Sequence, residues 1–241
     1  MLFLEERCFD NLVAYWKSLA VNPITSDEEY TYINTGIQNS MFNPIFAKQT
    51  AESAPPKLTN MPHSFWHDNK RNQKIHTNDI SMEPIMEHVP VMSIRLDKEF
   101  KQHLPPNITI EIIENGNDLS DWVLPVQVAF QMDDEMALHY RRRLEQASEQ
   151  FVNFIVKHDK QTVAAASLFL SKEKEIAGLY NLSVLPEYRK QGIGTALHYA
   201  RLNEARSRGY QYATLQATPM ASELDKAIGF QTHSELTIYK R

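Results

Sequence analysis

The segment at residues 180–197 constrains this chain more than any other part of its sequence. It reads Tyr-Asn-Leu-Ser-Val-Leu-Pro-Glu-Tyr-Arg-Lys-Gln-Gly-Ile-Gly-Thr-Ala-Leu and predicts an apolar strand, a turn, a basic loop with two glycines, and a helix that begins at the loop. Such a junction presents backbone N–H groups and the positive end of a helix dipole to one point. Gly192 and Gly194 let the backbone approach a ligand closely because neither has a Cβ atom, and Arg189 and Lys190 add positive charge. The segment therefore predicts a site for an anion, such as the phosphates of a cofactor.

The composition limits the class of protein. The 241 residues predict one or two globular domains, with 42% hydrophobic and 23% charged residues. The formal net charge of −5 argues against general nucleic-acid binding, which needs a basic face. The single cysteine, Cys8, excludes a disulfide within the chain. The first residues do not resemble a signal peptide, and no stretch reaches the roughly 18 apolar residues of a membrane span. We therefore expect a cytoplasmic protein that binds neither nucleic acid nor membranes.

Glycine and proline residues divide the chain into two parts. Of the seven glycines, only Gly36 precedes residue 116, so the first part has no glycine-rich phosphate loop of its own. The pair Pro105-Pro106 interrupts regular structure and is followed by a β-rich segment. We predict two domains, at residues 1–105 and 106–241.

Secondary structure follows from the spacing of apolar residues and from the turn residues between them. In the first domain, apolar residues at helical spacing predict an amphipathic helix over residues 2–20. Short strands are expected at 29–34, 43–48, 63–67 and 91–96, with a short helix within 73–88. In the second domain, the expected strands are 108–113, 151–158, 162–170, 176–184, 213–217 and 233–239. The expected helices are one after a turn at 115–118 and others at 133–148, 193–208 and 221–227.

The pattern Arg189-x-x-Gly192-x-Gly194, followed by Ala196-Leu197, resembles the acyl-CoA pyrophosphate loop of the GNAT superfamily of N-acyltransferases. Three further features support the resemblance: a strand ending in Val-Leu-Pro-Glu-Tyr before the loop, the sequence Ala-Ile-Gly-Phe at residues 227–230, and a final strand. The resemblance covers residues 108–241. It implies an α/β fold with a mixed, mostly antiparallel central sheet flanked by helices.

The first 105 residues are similar to the degenerate amino-terminal half of tandem GNAT proteins. Asn43-Pro44-Ile45, Phe65-Trp66 and the segment 92–96 carry this fainter likeness. In such proteins one half keeps the cofactor loop and the other does not, which fits the scarcity of glycine here. The resemblance implies a smaller, degenerate GNAT-like domain that helps to shape the acceptor pocket.

The resemblance assigns the loop to acetyl-CoA, the expected cosubstrate. Backbone N–H groups of five consecutive residues would hold the pyrophosphate: Gln191, Gly192, Ile193, Gly194 and Thr195. Arg189 and Lys190 would neutralise its charge. An ordinary basic turn that caps a helix is the alternative interpretation.

The strand before the loop would hold the rest of the cosubstrate. By resemblance it splays from its neighbour, so that Leu182, Ser183 and Val184 pair with the pantetheine arm. An N–H group near Val184 or Leu185 would polarise the thioester carbonyl, as an oxyanion donor does. Asn181 would position the acceptor, or it is a polar side chain on the solvent face of the strand.

Acid and base groups are harder to assign. GNAT proteins often have a tyrosine four residues before the Gly-Phe pair, where it protonates the departing thiolate, and here that position is Asp225. Three interpretations are open: Asp225 is an ordinary solvent-facing residue, which is the favoured one, another hydroxyl serves as the acid, or no acid is needed. The candidate hydroxyls are those of Thr218, Ser222 and Tyr239. The candidate bases for deprotonating an amine are Glu187, His233 and Glu235.

These residues predict an N-acetyltransferase that transfers an acetyl group directly from acetyl-CoA to an amine on a small molecule or peptide. The principal alternative is an inactive or weakly active acyl-CoA-binding sensor or scaffold, and O-acylation of an alcohol is a third. No metal is expected, since His63 and His67 lie in a segment that looks extended. The sequence leaves the acceptor, the acyl length and the oligomeric state open, although an oligomer is compatible with it.

Overall fold

The chain forms two compact units in a computed structural model. The structure describes residues 2–21, 24–55, 62–76, 80–101, 104, 106–113, 118–172, 175–218 and 221–240. Unit 1 comprises Met1–Met92 and Gln216–Arg241, and unit 2 comprises Ser93–Leu215. The predicted domain boundary remains a prediction, and Pro105 lies outside the described residues. Most of the turn expected at 115–118 lies outside them as well.

The described residues form eleven strands and five α-helices. The strands are β1 Thr25–Ser26, β2 Tyr30–Tyr32, β3 Pro44–Ala47, β4 Ser64–Asp68, β5 Glu83–Arg95, β6 Ile108–Ile113, β7 Phe151–His158, β8 Gln161–Phe169, β9 Ile176–Val184, β10 Tyr212–Gln216 and β11 Gln231–Lys240. The helices are α1 Leu2–Ser18, α2 Ser120–Phe130, α3 Asp134–Gln146, α4 Ile193–Ser207 and α5 Ser222–Ile228. No helix among the described residues is long and apolar enough to cross a membrane.

Unit 1 is built on a mixed sheet with the strand order β1-β2-β3-β4-β11-β5. The pair β3 and β4 is parallel, whereas β4 pairs with β11 in antiparallel register, with Tyr239 opposite Phe65. Helix α1 packs its aromatic residues on the strands: the ring centroids of Phe9 and Phe46 lie 5.8 Å apart, in an edge-to-face arrangement. This apolar face explains why the amphipathic pattern at residues 2–20 folds as one helix.

Unit 2 contains a sheet with the strand order β10-β9-β8-β7-β6. Strands β6 to β9 pair in antiparallel fashion, and β9 pairs with β10 in parallel. The turn between β7 and β8 has positive φ at Asp159 (48°) and Lys160 (71°), the conformation that suits a two-residue hairpin. Helices α2 and α4 contact β8 and β9, so the helices flank the strands on which the candidate site lies.

Most predicted elements of unit 2 are confirmed. Strand β9 has the predicted bounds, and α4 ends at Ser207, just before Gly209 at a φ of 89°. The predicted fold class is confirmed, since the sheets are mixed, mostly antiparallel and flanked by helices. The short helix expected within 73–88 falls partly on residues 77–79, which lie outside the described residues, and the described residues of this range form a turn, irregular chain and the start of strand β5. Pro84 disfavours a helix at that point, and β5 pairs instead with β11, a partner remote in sequence.

Candidate functional site

A β-bulge interrupts strand β9 at Asn181. The register pairs Ala165 with Ser183 and then Ser167 with Tyr180, so that Ala166 alone lies opposite two residues of β9. Asn181 adopts a φ of 59°, in the left-handed region that asparagine tolerates better than most residues. The bulge therefore changes the course of β9 three residues before its end.

Two buried side chains bind the carbonyl groups around this bulge. The indole Nε1 of Trp122, in α2, donates to the carbonyl oxygen of Ala166 at 3.1 Å. The Nη1 of Arg201, in α4, donates to the carbonyl oxygens of Tyr180 at 3.2 Å and Ser167 at 3.4 Å. Both side chains are fully buried. The bulge is thus held from two helices, and backbone acceptors near it are hydrogen-bonded in the interior.

The side chain of Asn181 lies in a chain of polar groups. The hydroxyl of Tyr140 donates to its Oδ1 at 2.7 Å, and its Nδ2 donates to the Ser167 hydroxyl at 3.2 Å. Ser167 in turn donates to Asn153 Oδ1 at 2.7 Å. Because Tyr140, Ser167 and Asn153 are all buried, Asn181 is fixed from the interior of unit 2. Its predicted contact with the acceptor remains a prediction.

Strands β9 and β10 part beyond Gly178. Their parallel register consists of three pairs and ends with Thr214 opposite Gly178. Strand β9 then continues for six residues to Val184, and β10 continues to Gln216. The bulge at Asn181 falls within the diverging part of β9. This divergence opens one side of β9 in the region that the sequence assigned to the pantetheine arm.

The loop after β9 leads directly into α4. A single 3₁₀ turn at Pro186–Tyr188 is followed by Lys190 at a φ of 58° and Gly192 at a φ of 81°. Gly192 is the N-cap of α4, and a Cβ atom built on it has no atom within 4 Å. The side of the backbone at Gly192 therefore faces open space at the positive end of a helix of 15 residues. This arrangement suits an anion at the start of α4.

Two loop side chains bind backbone carbonyls in this structure. Arg189 Nε donates to the carbonyl oxygen of Val184 at 3.0 Å, and Gln191 Nε2 donates to that of Glu187 at 3.1 Å. The Leu185 N–H donates to the carbonyl oxygen of Val163 at 2.9 Å. Because the N–H group of Leu185 is engaged, Val184 is the better of the two predicted oxyanion donors.

The predicted cosubstrate residues lie together in unit 2. They occupy the end of β9, the loop and the first turn of α4: Leu182, Ser183, Val184, Arg189, Lys190, Gln191, Gly192, Ile193, Gly194 and Thr195. Arg189, Lys190, Gln191 and Gly192 are exposed, whereas Ile193 is buried and anchors the helix. The binding role of each residue stays a prediction.

The predicted catalytic residues lie in both units. Asn181 and Glu187 belong to unit 2, and Glu187 is exposed on the 3₁₀ turn. Thr218, Ser222 and Tyr239 belong to unit 1. Thr218 is exposed, and its carbonyl oxygen accepts from the Ser222 N–H at 3.0 Å, at the start of α5.

Tyr239 has a different environment from the other two hydroxyl candidates. Its ring is buried and stacks on Phe65 with 6.2 Å between ring centroids. It belongs to an apolar cluster of unit 1 that includes Tyr30 and Ile45. Burial raises the pKa of Tyr239 above its ordinary value, which keeps the hydroxyl protonated at neutral pH.

The interpretation of Asp225 as solvent-facing is wrong. Its exposed fraction is 2%, because α5 directs it inward. Its carbonyl oxygen accepts from the N–H groups of Gly229 and Phe230, which ends the helix. The aspartate at the position where the family often has tyrosine is therefore part of the interior of unit 1.

The candidate bases of unit 1 also differ from one another. Burial lowers the pKa of His233, so its imidazole is neutral at pH 7. Glu235 lies 2.8 Å from Nδ1 of His88, and this pair is on the surface. Among the described residues there is no group of three or more His, Cys, Asp or Glu side chains that could hold a metal ion.

Sequence reasoning missed Arg201, Trp122 and Tyr140. A signal for Arg201 was present, because it falls between Leu197 and Ala205 at four-residue spacing on the apolar face of α4. A charged residue on that face predicts a specific buried partner. The partners themselves depend on the bulge in β9, which only the register with β8 defines.

One part of the chain matches a known protein family. Residues 117–230 match the family described as Acetyltransferase (GNAT) family. No curated protein has a significant match to the chain. This match confirms the resemblance to the GNAT superfamily that Arg189, Gly192 and Gly194 carry.

Solved structures show the same fold over nearly the whole chain. A GCN5-related N-acetyltransferase from Kribbella flavida is similar with a TM-score of 0.66 at 10% identity, over 97% of this chain and 94% of that chain. A functionally unknown conserved protein from Staphylococcus epidermidis has a TM-score of 0.63 at 14% identity, over 91% and 93%. A tandem GNAT protein from the clavulanic acid biosynthesis pathway has a TM-score of 0.60 at 10% identity, over 88% and 78%. At these identities the likeness concerns the fold alone.

Proposed function

We propose that this chain is an N-acetyltransferase that transfers an acetyl group directly from acetyl-CoA to an amine. The divergence of β9 and β10 beyond Gly178 carries this proposal, because it opens a strand edge immediately before the loop that begins α4. Within the GNAT family, these two features together fit an extended arm that ends in a diphosphate.

The conformation of the loop at Gly192 supports phosphate binding. Gly192 combines a φ of 81° with open space where a Cβ would lie, so a ligand can approach the backbone there. N–H groups at the start of α4 point away from the helix and need an outside acceptor. The N–H groups of residues 191–195 would hold the diphosphate, and Lys190 would add charge from the loop. Arg189 would do so after leaving the carbonyl of Val184.

The thioester supplies an activated acetyl group when acetyl-CoA is bound. Leu182, Ser183 and Val184 would align the pantetheine arm along β9 by backbone pairing. The Val184 N–H would stabilise negative charge on the carbonyl oxygen, and removal of one such donor typically costs a factor of about 10² to 10³ in rate. Holding the amine and the acetyl group close together and correctly oriented would contribute much of the remaining rate acceleration.

Proton transfer needs one base and, optionally, one acid. The attacking amine must be neutral, and Glu187, His233 and Glu235 are the groups to test as its base. A thiol with an ordinary pKa of about 8.5 is a fair leaving group, so a general acid would add a factor of about 10² to 10⁴. The variants Thr218→Val, Ser222→Ala and Tyr239→Phe test the three hydroxyls. The residue whose loss lowers kcat by such a factor, without changing acetyl-CoA affinity, is the acid.

A second candidate function is an acyl-CoA sensor or scaffold without turnover. The buried Asp225 favours it, because a carboxylate occupies the position where GNAT enzymes often have a tyrosine. A scaffold would need the loop at Gly192 but would need neither a base nor an acid.

We also propose that residues 1–105 form a degenerate GNAT-like half. The low glycine content of this part and its similarity to a tandem GNAT protein in fold support this view. The acceptor would be an amine on a small molecule or a peptide.

One assay separates these functions. Release of CoA thiol from acetyl-CoA is measured with the intact protein and a broad panel of amines, and products are identified by mass. The transferase proposal expects amine-dependent release that disappears in the variant Gly192→Leu. Acetyl-CoA binding by calorimetry without release for any amine would instead support the scaffold. Absence of binding by the folded protein would overturn both.

A further inference from the structure

Unit 1 contains a pocket that lies outside the acetyl-CoA site proposed above. The pocket has a volume of about 410 Å³ and lies between α1 and the strands β2 and β3. Its wall on α1 consists of five residues at helical spacing, namely Glu6, Phe9, Asp10, Val13 and Lys17. This volume lies within the range of about 300 to 1,000 Å³ that is common for small-molecule sites.

The pocket lies at the carboxyl ends of a parallel strand pair. Strands β3 and β4 run parallel, and Lys48 directly follows the last residue of β3. Arg71 follows the end of β4 by three residues, and both side chains line the pocket. In open α/β sheets, ligands bind outside the carboxyl ends of the parallel strands. The pocket lies at the corresponding end of the β3–β4 pair.

Arg71 indicates the charge of the ligand. Its guanidinium carbon lies 4.3 Å from the centre of the Phe9 ring. Its Nε and Nη1 atoms are shielded from solvent and have no hydrogen-bond partner among the described residues. A guanidinium that has lost part of its hydration without gaining an acceptor is unfavourable, and the charge of an anion bound nearby in the pocket offsets this. Arginine also presents a planar fork that matches a carboxylate.

The other charges of the pocket favour a single negative charge on the ligand. Lys17 and Lys48 add positive charge to that of Arg71, and the carboxylates of Glu6 and Asp10 neutralise part of it. The Glu6 carboxylate already accepts a hydrogen bond from Gln49 at 2.7 Å, and Lys48 donates to the carbonyl of Asp27. Lys17 is exposed and has no ion-pair partner in the part of the chain that the structure describes. Arg71 and Lys17 are therefore the cations available to a ligand.

The apolar part of the pocket defines the rest of the ligand. Phe9 and Phe46 are buried beneath it, and Val13 is half-buried on its helix wall. We propose that this pocket binds a small monocarboxylate with an apolar or aromatic body, with the carboxylate at Arg71 and Lys17. This proposal is independent of acetyl transfer, since all of its residues belong to unit 1.

Binding of 3-phenylpropionate to the full chain tests the proposal. Calorimetry and ligand-observed NMR are performed with this acid and with 3-phenylpropionamide, which has the same shape and no charge. We expect the acid to bind at least about tenfold more tightly than the amide, because the charged hydrogen bond to arginine is the stronger one. Equal binding of the two compounds, or no binding of the acid at concentrations up to about 10 mM, overturns the proposal.

Matched variants locate the site. Arg71→Gln is expected to weaken binding of the acid by about tenfold or more, and Lys17→Gln by a smaller factor. Lys98→Gln removes an exposed charge in unit 2 and should leave affinity within about twofold, since it lies outside the pocket. Val13→Phe fills the pocket without changing charge, and it should abolish binding while far-ultraviolet circular dichroism stays unchanged. Undiminished binding by both the folded Arg71→Gln and Val13→Phe proteins shows that the acid binds elsewhere and refutes the assignment. Acetyl-CoA affinity, measured on the same variants, should not change.

Discussion

The Nη1 atom of Arg201 lies 3.2 Å from the carbonyl oxygen of Tyr180, the residue that precedes the bulge in β9. Arg201 belongs to α4, the helix whose first turn follows the glycine loop. Its Nε also donates to the carbonyl of Leu197 in the same helix, at 3.3 Å. One buried side chain therefore connects the helix of the predicted phosphate site to the strand of the predicted thioester site.

Replacing Arg201 should destabilise unit 2 strongly. Arg201→Met leaves the carbonyls of Tyr180 and Ser167 without this donor in the interior, and we expect the free energy of unfolding to fall by about 3 kcal/mol. Urea denaturation measures the change. Arg206→Met, an exposed change in the last turn of the same helix, should alter stability by less than about 0.5 kcal/mol. Similar losses in the two variants would contradict the bracing role of Arg201.

A side chain at Gly192 should weaken acetyl-CoA binding. Gly192→Leu places a Cβ where the backbone faces open space, and the positive φ adds a strain of about 1–2 kcal/mol. Gly209 is a matched control, because it has a φ of 89° and equally open surroundings at the other end of α4. Calorimetry should show at least about tenfold weaker binding for Gly192→Leu and a change within about twofold for Gly209→Leu, although both lose stability. Equal affinities would remove the phosphate site from this loop.

Removal of the Asn181 side chain should separate its two possible roles. Glycine tolerates the φ of 59° at this position, so Asn181→Gly preserves the backbone conformation. The substitution removes the amide that binds Tyr140 and Ser167. If Asn181 positions the acceptor, kcat/KM for the amine should fall by about tenfold or more while acetyl-CoA affinity is retained. Tyr140→Phe tests the support of Asn181 from the interior and should cost about 1 kcal/mol of stability. A variant Asn181→Gly with unchanged kinetics would make the residue structural only.

The pKa values of two histidines of unit 1 are shifted in opposite directions. The hydrogen bond and charge of Glu235 raise the pKa of His88, whereas burial lowers the pKa of His233. The pair His88–Glu235 therefore stabilises the fold fully below the ordinary histidine pKa of about 6.5, and this contribution is lost as the pH rises through the folded pKa. His233 disfavours the fold as the pH falls from about 6.5 towards its lowered pKa, since the unfolded chain binds the proton more readily.

NMR titration of the imidazole protons checks both histidine shifts. Glu235→Gln should return the His88 midpoint towards about 6.5 and leave the His233 midpoint unchanged. A His88 midpoint that does not respond to this variant would contradict the pairing.

The sequence predicted the secondary structure of the candidate site better than that of its surroundings. Strand β9 and the start of α4 were predictable because an apolar run, Pro186 and two glycines mark their limits locally. The bulge at Asn181 was not predictable, because it depends on the register between β9 and β8. The sequence of β9 alone does not contain that register. For the same reason only the later part of β5 was predicted as a strand, at 91–96, although the strand begins at Glu83. The burial of Asp225 was missed because a short charged helix carries too few turns to show which face is inward.

The parting of β9 from β10 has a consequence for hydrogen exchange. Three paired residues tie the strands together at one end, so the amide protons of Ala177 and Thr214, which this register directs between the two strands, should be protected. Farther along β9, protons on the open side should exchange with deuterium much sooner. A cosubstrate that inserts there would act as a substitute strand and slow that exchange, giving a footprint of binding that requires no chemical turnover.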